Sequence, residues 1–145
     1  MSICKAFGEL SVIELYELLR LRSEVFVVEQ NCVFLDMDNK DQLCHHLLLY
    51  GDNALVAYAR ILPPGIYYAE ASIGRVITSP AFRGTGSGKL LMELAISAAT
   101  KLFPGHTIRI GAQLYALKFY ERFGFQRDGE IYVEDGIDHV EMILT

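Results

Sequence analysis

The sequence predicts an α/β (α+β) fold, with a mixed, largely antiparallel sheet of six to seven strands, a central parallel βαβ unit and helices on both faces. Residues 73–78, 90–99 and 107–112 read as an apolar strand, an amphipathic helix and a second strand, an order that joins parallel neighbours by a right-handed crossover. Short turn segments, Gly51-Asp52-Asn53 and Asp135-Gly136, each separate two apolar runs and therefore indicate antiparallel hairpins.

The first part of the chain is predicted to hold a strand over residues 2–7 and then one helix. Ser11 and Glu14 have the spacing of a capping box, and apolar residues follow at three- and four-residue steps. The helix is therefore expected to start at Ser11 and to run to about Glu24. Residues 25–30 fit either a continued helix or a short strand.

The rest of the chain alternates strands with helices. The predicted elements are strands over 43–50, 54–62 and 70–78, a helix that ends near 103–105, a strand over 107–112, a helix over 115–123 stopped by Gly124, and strands over 125–133 and 137–144. In the strand 54–62, alternation places Leu55, Ala57, Ala59 and Ile61 on one face and Val56, Tyr58 and Arg60 on the other. There is no repeat or linker, so residues 1–145 are expected to form a single domain.

Composition narrows the class of protein. The chain has 145 residues, 52% hydrophobic content and a formal net charge of −5, which suits a globular protein and argues against binding to nucleic acid or to an anionic membrane. No segment has the pattern of a signal peptide or of a spanning helix, so a cytoplasmic location is expected. The three cysteines form no CxxC pair and predict neither a disulfide nor a metal site.

The segment Arg83-Gly84-Thr85-Gly86-Ser87-Gly88-Lys89 links the strand to the helix of the βαβ unit. Its glycines expose backbone N–H groups at a helix N-terminus, where the donors are unpaired and the helix dipole is positive, so a phosphate-bearing ligand is expected. The spacing fits neither a Walker A loop nor the dinucleotide pattern G-x-G-x-x-G. From the residues alone, a glycine-rich helix start without a ligand remains an equal alternative.

The spacing that does fit is Arg-x-x-Gly-x-Gly, formed by Arg83, Gly86 and Gly88. It resembles the pyrophosphate-binding motif of the GNAT superfamily of acetyl-coenzyme A-dependent N-acyltransferases. The run Phe119-Tyr120-Glu121-Arg122-Phe123-Gly124-Phe125 resembles a second signature of the superfamily, although its aromatic residues also fit a packed helix face. Further segments are similar to the ElaA-like branch: 25–30, 56–60, 73–77, 111–113 and 134–137.

The resemblance implies a fold, a cosubstrate and a set of site residues. Acetyl-coenzyme A is the implied acyl donor, and a small-molecule or peptide amine that attacks within a ternary complex is the implied acceptor. Tyr120 matches the tyrosine that acts as general acid on the leaving thiolate. The implied coenzyme-binding residues are Val76, Ile77, Thr78, Arg83, Gly84, Thr85, Gly86, Ser87, Gly88, Lys89 and Gln113, the last standing where many members carry asparagine. A backbone N–H in 76–78 would stabilise the carbonyl oxygen, at the place where this strand is expected to diverge from its neighbour.

The general base is not identified by any motif. His46 is a weak candidate, and Glu29 is a weak candidate for the substrate site; Glu70 and His139 are further alternatives. His45 is expected to be a packed core residue, and Cys44 lacks a partner that would make it a nucleophile.

The acceptor is not identified either, and other classes of protein stay open. Acidic loops at Asp36, Asp38 and Asp41 and at Glu134, Asp135 and Asp138 could attract a cationic amine, or could simply be solvated. A coenzyme A-binding module without catalysis and a non-binding interaction domain are the alternatives to an enzyme. A homodimer is also left open.

Overall fold

A computed structural model describes all residues, 1–145. Its centre is a single eight-stranded sheet of order β1-β2-β3-β4-β5-β8-β6, in which β7 also pairs with β8. The strands are β1 Ser2–Ala6, β2 His45–Gly51, β3 Ala54–Leu62, β4 Ala71–Thr78, β5 Ile108–Gln113, β6 Gln126–Arg127, β7 Tyr132–Glu134 and β8 Ile137–Leu144. Only β4 and β5 pair in parallel, and every other neighbouring pair is antiparallel. The predicted mixed, largely antiparallel sheet with a parallel βαβ unit is confirmed.

Helices cover both faces of the sheet, as predicted. The helices are α1 Val12–Arg22, α2 Ser87–Leu102 and α3 Leu117–Glu121. On one face, Leu18 and Leu21 of α1 pack with Leu48 and Tyr58 of the sheet. On the other face, the α2 residues Leu91, Met92, Ala95 and Ala99 join the larger core cluster, against which aromatic residues of the α3 segment also pack. Burying these apolar side chains is the main favourable contribution to folding.

The local signals in the sequence set several boundaries correctly. Ser11 caps α1: its hydroxyl accepts the Glu14 N–H at 3.0 Å, and the Glu14 carboxylate accepts the Ser11 N–H at 2.8 Å. Asp135 and Gly136 have φ angles of 51° and 76° and join β7 to β8. The ambiguous residues after α1 form a π-helical segment, Ser23–Glu29, that continues the helix.

Two boundary predictions and one assignment of strand faces were wrong. The strand predicted from residue 43 begins at His45, because Asp41–Leu43 forms a 3₁₀ turn. The strand predicted over 125–133 is two short strands, interrupted where Gly129 has a φ of 121°. In β3, Val56 packs in the α2-side cluster and Leu55 against the α1-side cluster, since a bulge opposite Leu49 and Tyr50 breaks the alternation.

A second bulge and a divergence shape the middle of the sheet. The pairing of β4 with β3 shifts register between Tyr58 and Arg60, where Arg75 of β4 has a φ of 49°. On its other edge, β4 pairs with β5 only through Ala71 and Ser72. The strands separate beyond Ser72, so this edge of β4 has no strand partner over residues 73–78. The divergence that was predicted at residues 76–78 is present.

No helix is both long enough and apolar enough to cross a membrane.

Candidate active site

The gap between β4 and β5 opens into the main cleft of the molecule. The cleft has a volume of about 810 Å³ and is lined by residues 72–78 of β4, by the π-helical segment, by β5, by α3 and by the β7–β8 hairpin. Val76, Ile77, Thr78, Arg83, Gln113 and Tyr120 all line it. A concave site with a few convergent polar groups is where small ligands usually bind.

The glycine-rich turn lies at the N-terminus of α2. Gly84 and Gly86 have φ angles of 78° and 84°, which residues with a side chain rarely adopt. The first hydrogen bond of α2 runs from the Leu90 N–H to the Gly86 carbonyl, so the N–H groups from Gly84 to Lys89 have no backbone acceptor. A Cβ on Gly88 would lie 3.4 Å from Oγ1 of Thr78, so the turn sits directly against the end of β4.

The turn is stiffened by its own hydroxyl groups. Thr85 Oγ1 donates to the Phe82 carbonyl at 2.6 Å and lies 2.8 Å from Ser87 Oγ. These contacts hold the turn without using its N–H groups. The result is a preformed row of donors at a positive helix end, which suits a phosphate group.

Arg83 and Glu29 form an exposed ion pair at the mouth of the cleft. Arg83 donates two hydrogen bonds to the Glu29 carboxylate, one of them at 2.8 Å. The hydrogen bond from Arg83 holds the pKa of Glu29 below its ordinary value, and the reverse contact raises the pKa of Arg83. Glu29 therefore pairs with the guanidinium group that the family resemblance implies for coenzyme binding.

Gln113 is held at the end of β5 by a partner from across the cleft. Its side-chain amide exchanges hydrogen bonds with that of Gln30, at 3.3 and 3.4 Å. Gln113 also pairs with His139 of β8 in the sheet register. The residue that departs from common usage of the superfamily thus fixes the π-helical segment against β5.

Tyr120 lines the cleft from α3. Its ring packs edge-on against Phe119 and Phe125, with centroid separations of 5.2 and 6.1 Å. Burial, followed by the nearby Tyr115, raises the pKa of Tyr120 above its usual value. The hydroxyl is therefore protonated at neutral pH and can donate a hydrogen bond into the cleft.

His46 does not lie in the cleft. It is fully buried, its Nε2 donates to the Asp41 carbonyl at 2.9 Å, and its Nδ1 accepts from the Tyr58 hydroxyl at 2.6 Å. Burial lowers the pKa of His46. Both ring nitrogens are used in the neutral state, so His46 has a structural role and no nitrogen left to act as a base.

The aspartates of the first acidic loop are not free to attract an amine. Asp36 accepts from Arg22 and Arg75, both at 2.8 Å. Asp38 accepts from Arg60, and Asp41 accepts from Arg22 and Arg60. The loop, which was expected either to attract an amine or to be solvated, is instead anchored by a largely buried network of arginines and aspartates, one side of which forms a wall of the cleft.

Two other candidates also lie away from the chemistry. Glu70 pairs with Arg109, which further binds Asp128 and Glu141. Cys44 is buried, and burial raises the pKa of its thiol to about 11, so it is a poor nucleophile. No group of three or more histidine, cysteine, aspartate or glutamate side chains is arranged to hold a metal ion.

The end of the cleft that the β7–β8 hairpin lines contains aromatic groups that the sequence did not single out. Tyr67 and Tyr68 line it, with ring centroids 4.8 Å apart, and Tyr67 donates to Glu134 at 3.1 Å. The hydroxyl groups of Tyr68 and Tyr132 both approach Gly111, where a Cβ would come within 2.9 and 2.8 Å of them. His139 also lies here. In the sequence, only the adjacent tyrosines Tyr67 and Tyr68 indicate this aromatic surface.

Comparisons with known proteins agree with the fold. Residues 22–145 match the family model of the acetyltransferase (GNAT) domain. The chain is 45% identical to protein ElaA of Escherichia coli over 137 residues, which are 93% of this chain and 90% of that protein. It is 42% identical to a UPF0039 protein of Synechocystis over 139 residues, which are 95% of this chain and 90% of that protein.

Solved structures of similar proteins have the same fold as this chain. An acyl-CoA N-acyltransferase from Pseudomonas aeruginosa superposes with a TM-score of 0.95 at 41% identity, covering 100% of this chain and 99% of its own. The crystal structure of Escherichia coli ElaA superposes with a TM-score of 0.93 at 41% identity, covering 99% and 97%. The chain therefore belongs to the acetyltransferase (GNAT) domain family, with ElaA and the UPF0039 proteins as relatives.

Proposed function

We propose that the protein transfers an acetyl group from acetyl-coenzyme A to a primary amine by direct attack within a ternary complex. The observation that carries this proposal is the meeting, at one cleft, of an anion-binding turn, an unpaired strand edge and a protonated tyrosine hydroxyl. The name of the Pseudomonas relative, acyl-CoA N-acyltransferase, supports the same class of reaction.

The coenzyme binds along the turn and the edge of β4. Its pyrophosphate accepts hydrogen bonds from the unpaired N–H groups between Gly84 and Lys89. Arg83 exchanges its contact with Glu29 for one with a phosphate oxygen, which keeps the guanidinium group paired throughout. The amide groups of the pantetheine arm then pair with the free edge of β4 over residues 73–78, in the way that an added strand would.

The reaction needs three contributions from the protein. Holding amine and thioester together replaces a bimolecular encounter by a unimolecular step. As the nitrogen attacks the carbonyl carbon, a backbone N–H among residues 76–78 stabilises the negative charge on the oxygen. When the carbon–sulfur bond breaks, the Tyr120 hydroxyl donates to the leaving thiolate.

Release of free thiol from acetyl-coenzyme A tests this function. With a panel of primary alkylamines, we expect amine-dependent thiol release and an equal amount of acetylated amine by mass spectrometry. Release of thiol without acetylated amine would identify a thioester hydrolase. Coenzyme binding without any turnover would leave a silent coenzyme A-binding module and contradict the proposal.

A further inference from the structure

We propose that Glu134 and His139 form the acceptor subsite and that it takes a primary amine in its cationic form. In this subsite the Glu134 carboxylate binds the ammonium group, and Nε2 of His139 removes its proton. The inference rests on the proposed acetyl transfer and adds the charge state of the substrate and the identity of the base.

The hydrogen bonds of His139 leave one particular nitrogen free. Its Nδ1 lies 2.7 Å from the carbonyl oxygen of Ile137, and because a carbonyl only accepts, Nδ1 carries the proton. In the neutral ring Nε2 is therefore the proton acceptor. His139 is 7% exposed as a residue and lines the cleft, and its ring stacks on Tyr132 with centroids 5.6 Å apart. A histidine of fixed tautomer that faces a cleft can act as a general base.

Charge pairing sets Glu134 apart from the other acidic groups of the cleft. Four carboxylates line the cleft: Glu29, Asp38, Glu134 and Asp135. Arginines neutralise Glu29 and Asp38. Glu134 forms no ion pair with an arginine or lysine; it accepts from the Tyr67 hydroxyl at 3.1 Å and lies 3.7 Å from Nε2 of His139. Asp135 forms no ion pair, so uncompensated negative charge collects at this end of the cleft.

The remaining groups around Glu134 suit both the positive charge and the carbon atoms of an amine. Two cations lie near the Tyr67 ring. Arg75 is already paired with Asp36 and Asp38, whereas the Lys40 ammonium lies 5.7 Å from the centre of the ring and forms no ion pair. Among the groups without an ion pair to a lysine, arginine, aspartate or glutamate, the two carboxylates of Glu134 and Asp135 face the single ammonium of Lys40, which leaves an excess of negative charge. Aromatic rings beside that charge bind cations through their faces and give apolar contact to an attached alkyl group.

The proposed transfer conserves protons and electron pairs. The ammonium group gives one proton to His139 Nε2, and its freed electron pair forms the carbon–nitrogen bond. The carbon–sulfur bond then breaks, the sulfur keeps the bonding pair and takes a proton from Tyr120. The nitrogen loses its second proton to solvent, and that proton replaces the one that Tyr120 gave. The net products are the amide, free coenzyme A and one proton, which His139 returns to solvent.

A pair of acceptors of similar shape and different charge tests the subsite. Benzylamine is an ammonium ion at neutral pH, whereas O-benzylhydroxylamine carries the same benzyl group and is neutral. With background rates subtracted, Glu134→Gln should raise the KM of benzylamine about 10-fold or more, and His139→Gln should lower its kcat by roughly 10²-fold. Neither variant should change kinetics with O-benzylhydroxylamine by more than about threefold. Asp138→Asn removes the same charge from the neighbouring exposed position of β8 and should match wild type.

The outcomes separate this inference from the proposed function. Equal losses of activity with benzylamine and with O-benzylhydroxylamine would overturn the proposed subsite. Kinetics of Glu134→Gln equal to those of Asp138→Asn would overturn it as well. So would wild-type protein that binds acetyl-coenzyme A but does not acetylate benzylamine. Absence of acetyl-coenzyme A binding would overturn the proposed function itself. The Glu134 side chain is 44% exposed, so the Gln variant is expected to fold and decides the question even if the His139 variant does not.

Discussion

Replacing Tyr120 with phenylalanine is expected to lower kcat by roughly 10²-fold or more while leaving the affinity for acetyl-coenzyme A within about twofold, because the hydroxyl acts only on the leaving thiolate. The substitution keeps the ring that packs against Phe119 and Phe125, so the fold should be unaffected. Because burial raises the pKa of Tyr120, the hydroxyl keeps its proton across the neutral range and into alkaline conditions. Turnover should therefore show no loss from Tyr120 ionisation below about pH 10.

Tyr115→Phe is the matched control for this prediction. Tyr115 lines the same cleft, but its side chain is mostly exposed and it belongs to the 3₁₀ turn before α3. Loss of its hydroxyl should change kcat by less than about threefold. An equal fall in kcat for the two variants, or unchanged turnover in Tyr120→Phe, would contradict the role of Tyr120.

Replacing Asp41 with asparagine is expected to lower the free energy of unfolding by about 3–5 kcal/mol, the usual effect of removing one partner from a buried ion pair. The Asp41 carboxylate accepts from Arg22 at 2.7 Å and from Arg60 at 3.0 Å, and both guanidinium groups are at most 2% exposed. An asparagine of the same size leaves these charges buried with too few acceptors. Denaturant unfolding monitored by circular dichroism measures the difference.

Acid titration checks the same network, and Glu24→Gln provides the control. Burial alone would raise the pKa of Asp41, but the hydrogen bonds and charges of Arg22 and Arg60 outweigh it and lower the pKa. A carboxylate with a lowered folded-state pKa stabilises the fold above its unfolded pKa of about 3.9, and this stabilisation is lost as the pH falls through the folded-state value. The difference in the free energy of unfolding between wild type and Asp41→Asn should stay constant from pH 5 to 8 and shrink below about pH 4. Glu24→Gln breaks only an exposed pair with Arg20 and should cost less than about 0.5 kcal/mol.

The parts of the fold that local chemistry determines could be predicted from the sequence. The cap at Ser11, the turn at Asp135 and Gly136, and the glycine-rich turn before α2 each depend on a few consecutive residues. The same is true of the amphipathic helices and of the order of the strands. The location of Arg83, Gln113 and Tyr120 at one cleft followed from that order.

What could not be predicted depends on residues far apart in the chain. The aspartates after residue 31 look solvated in sequence, because their partners lie in α1, β3 and β4. His46 resembled a base until its two partners, Asp41 and Tyr58, were seen to occupy the ring. Val56 changed face because a bulge, which leaves no mark in the apolar pattern, adds one residue to β3.

The acceptor end of the cleft also depends on residues that are far apart in the chain. Tyr67 follows a proline-rich break, and Glu134 lies in a hairpin 67 residues later, yet the two side chains are hydrogen-bonded. The local β7–β8 hairpin places Tyr132 opposite His139, but the segment of Tyr67 reaches this hairpin only in the tertiary fold. No periodicity within either segment indicates that they meet.

Calorimetric titration of acetyl-coenzyme A into wild type, Arg83→Ala and Glu29→Gln, with ATP and NAD as control ligands, tests the coenzyme site most directly. Wild type is expected to bind acetyl-coenzyme A in preference to ATP and NAD. Arg83→Ala should bind about 10-fold more weakly, since a charge-assisted hydrogen bond contributes about 1.5–3 kcal/mol. Glu29→Gln should bind no more weakly than wild type, because Glu29 competes with the phosphate for Arg83. Equal affinity of wild type and Arg83→Ala for acetyl-coenzyme A, or no binding of acetyl-coenzyme A at all, would contradict the proposed coenzyme site.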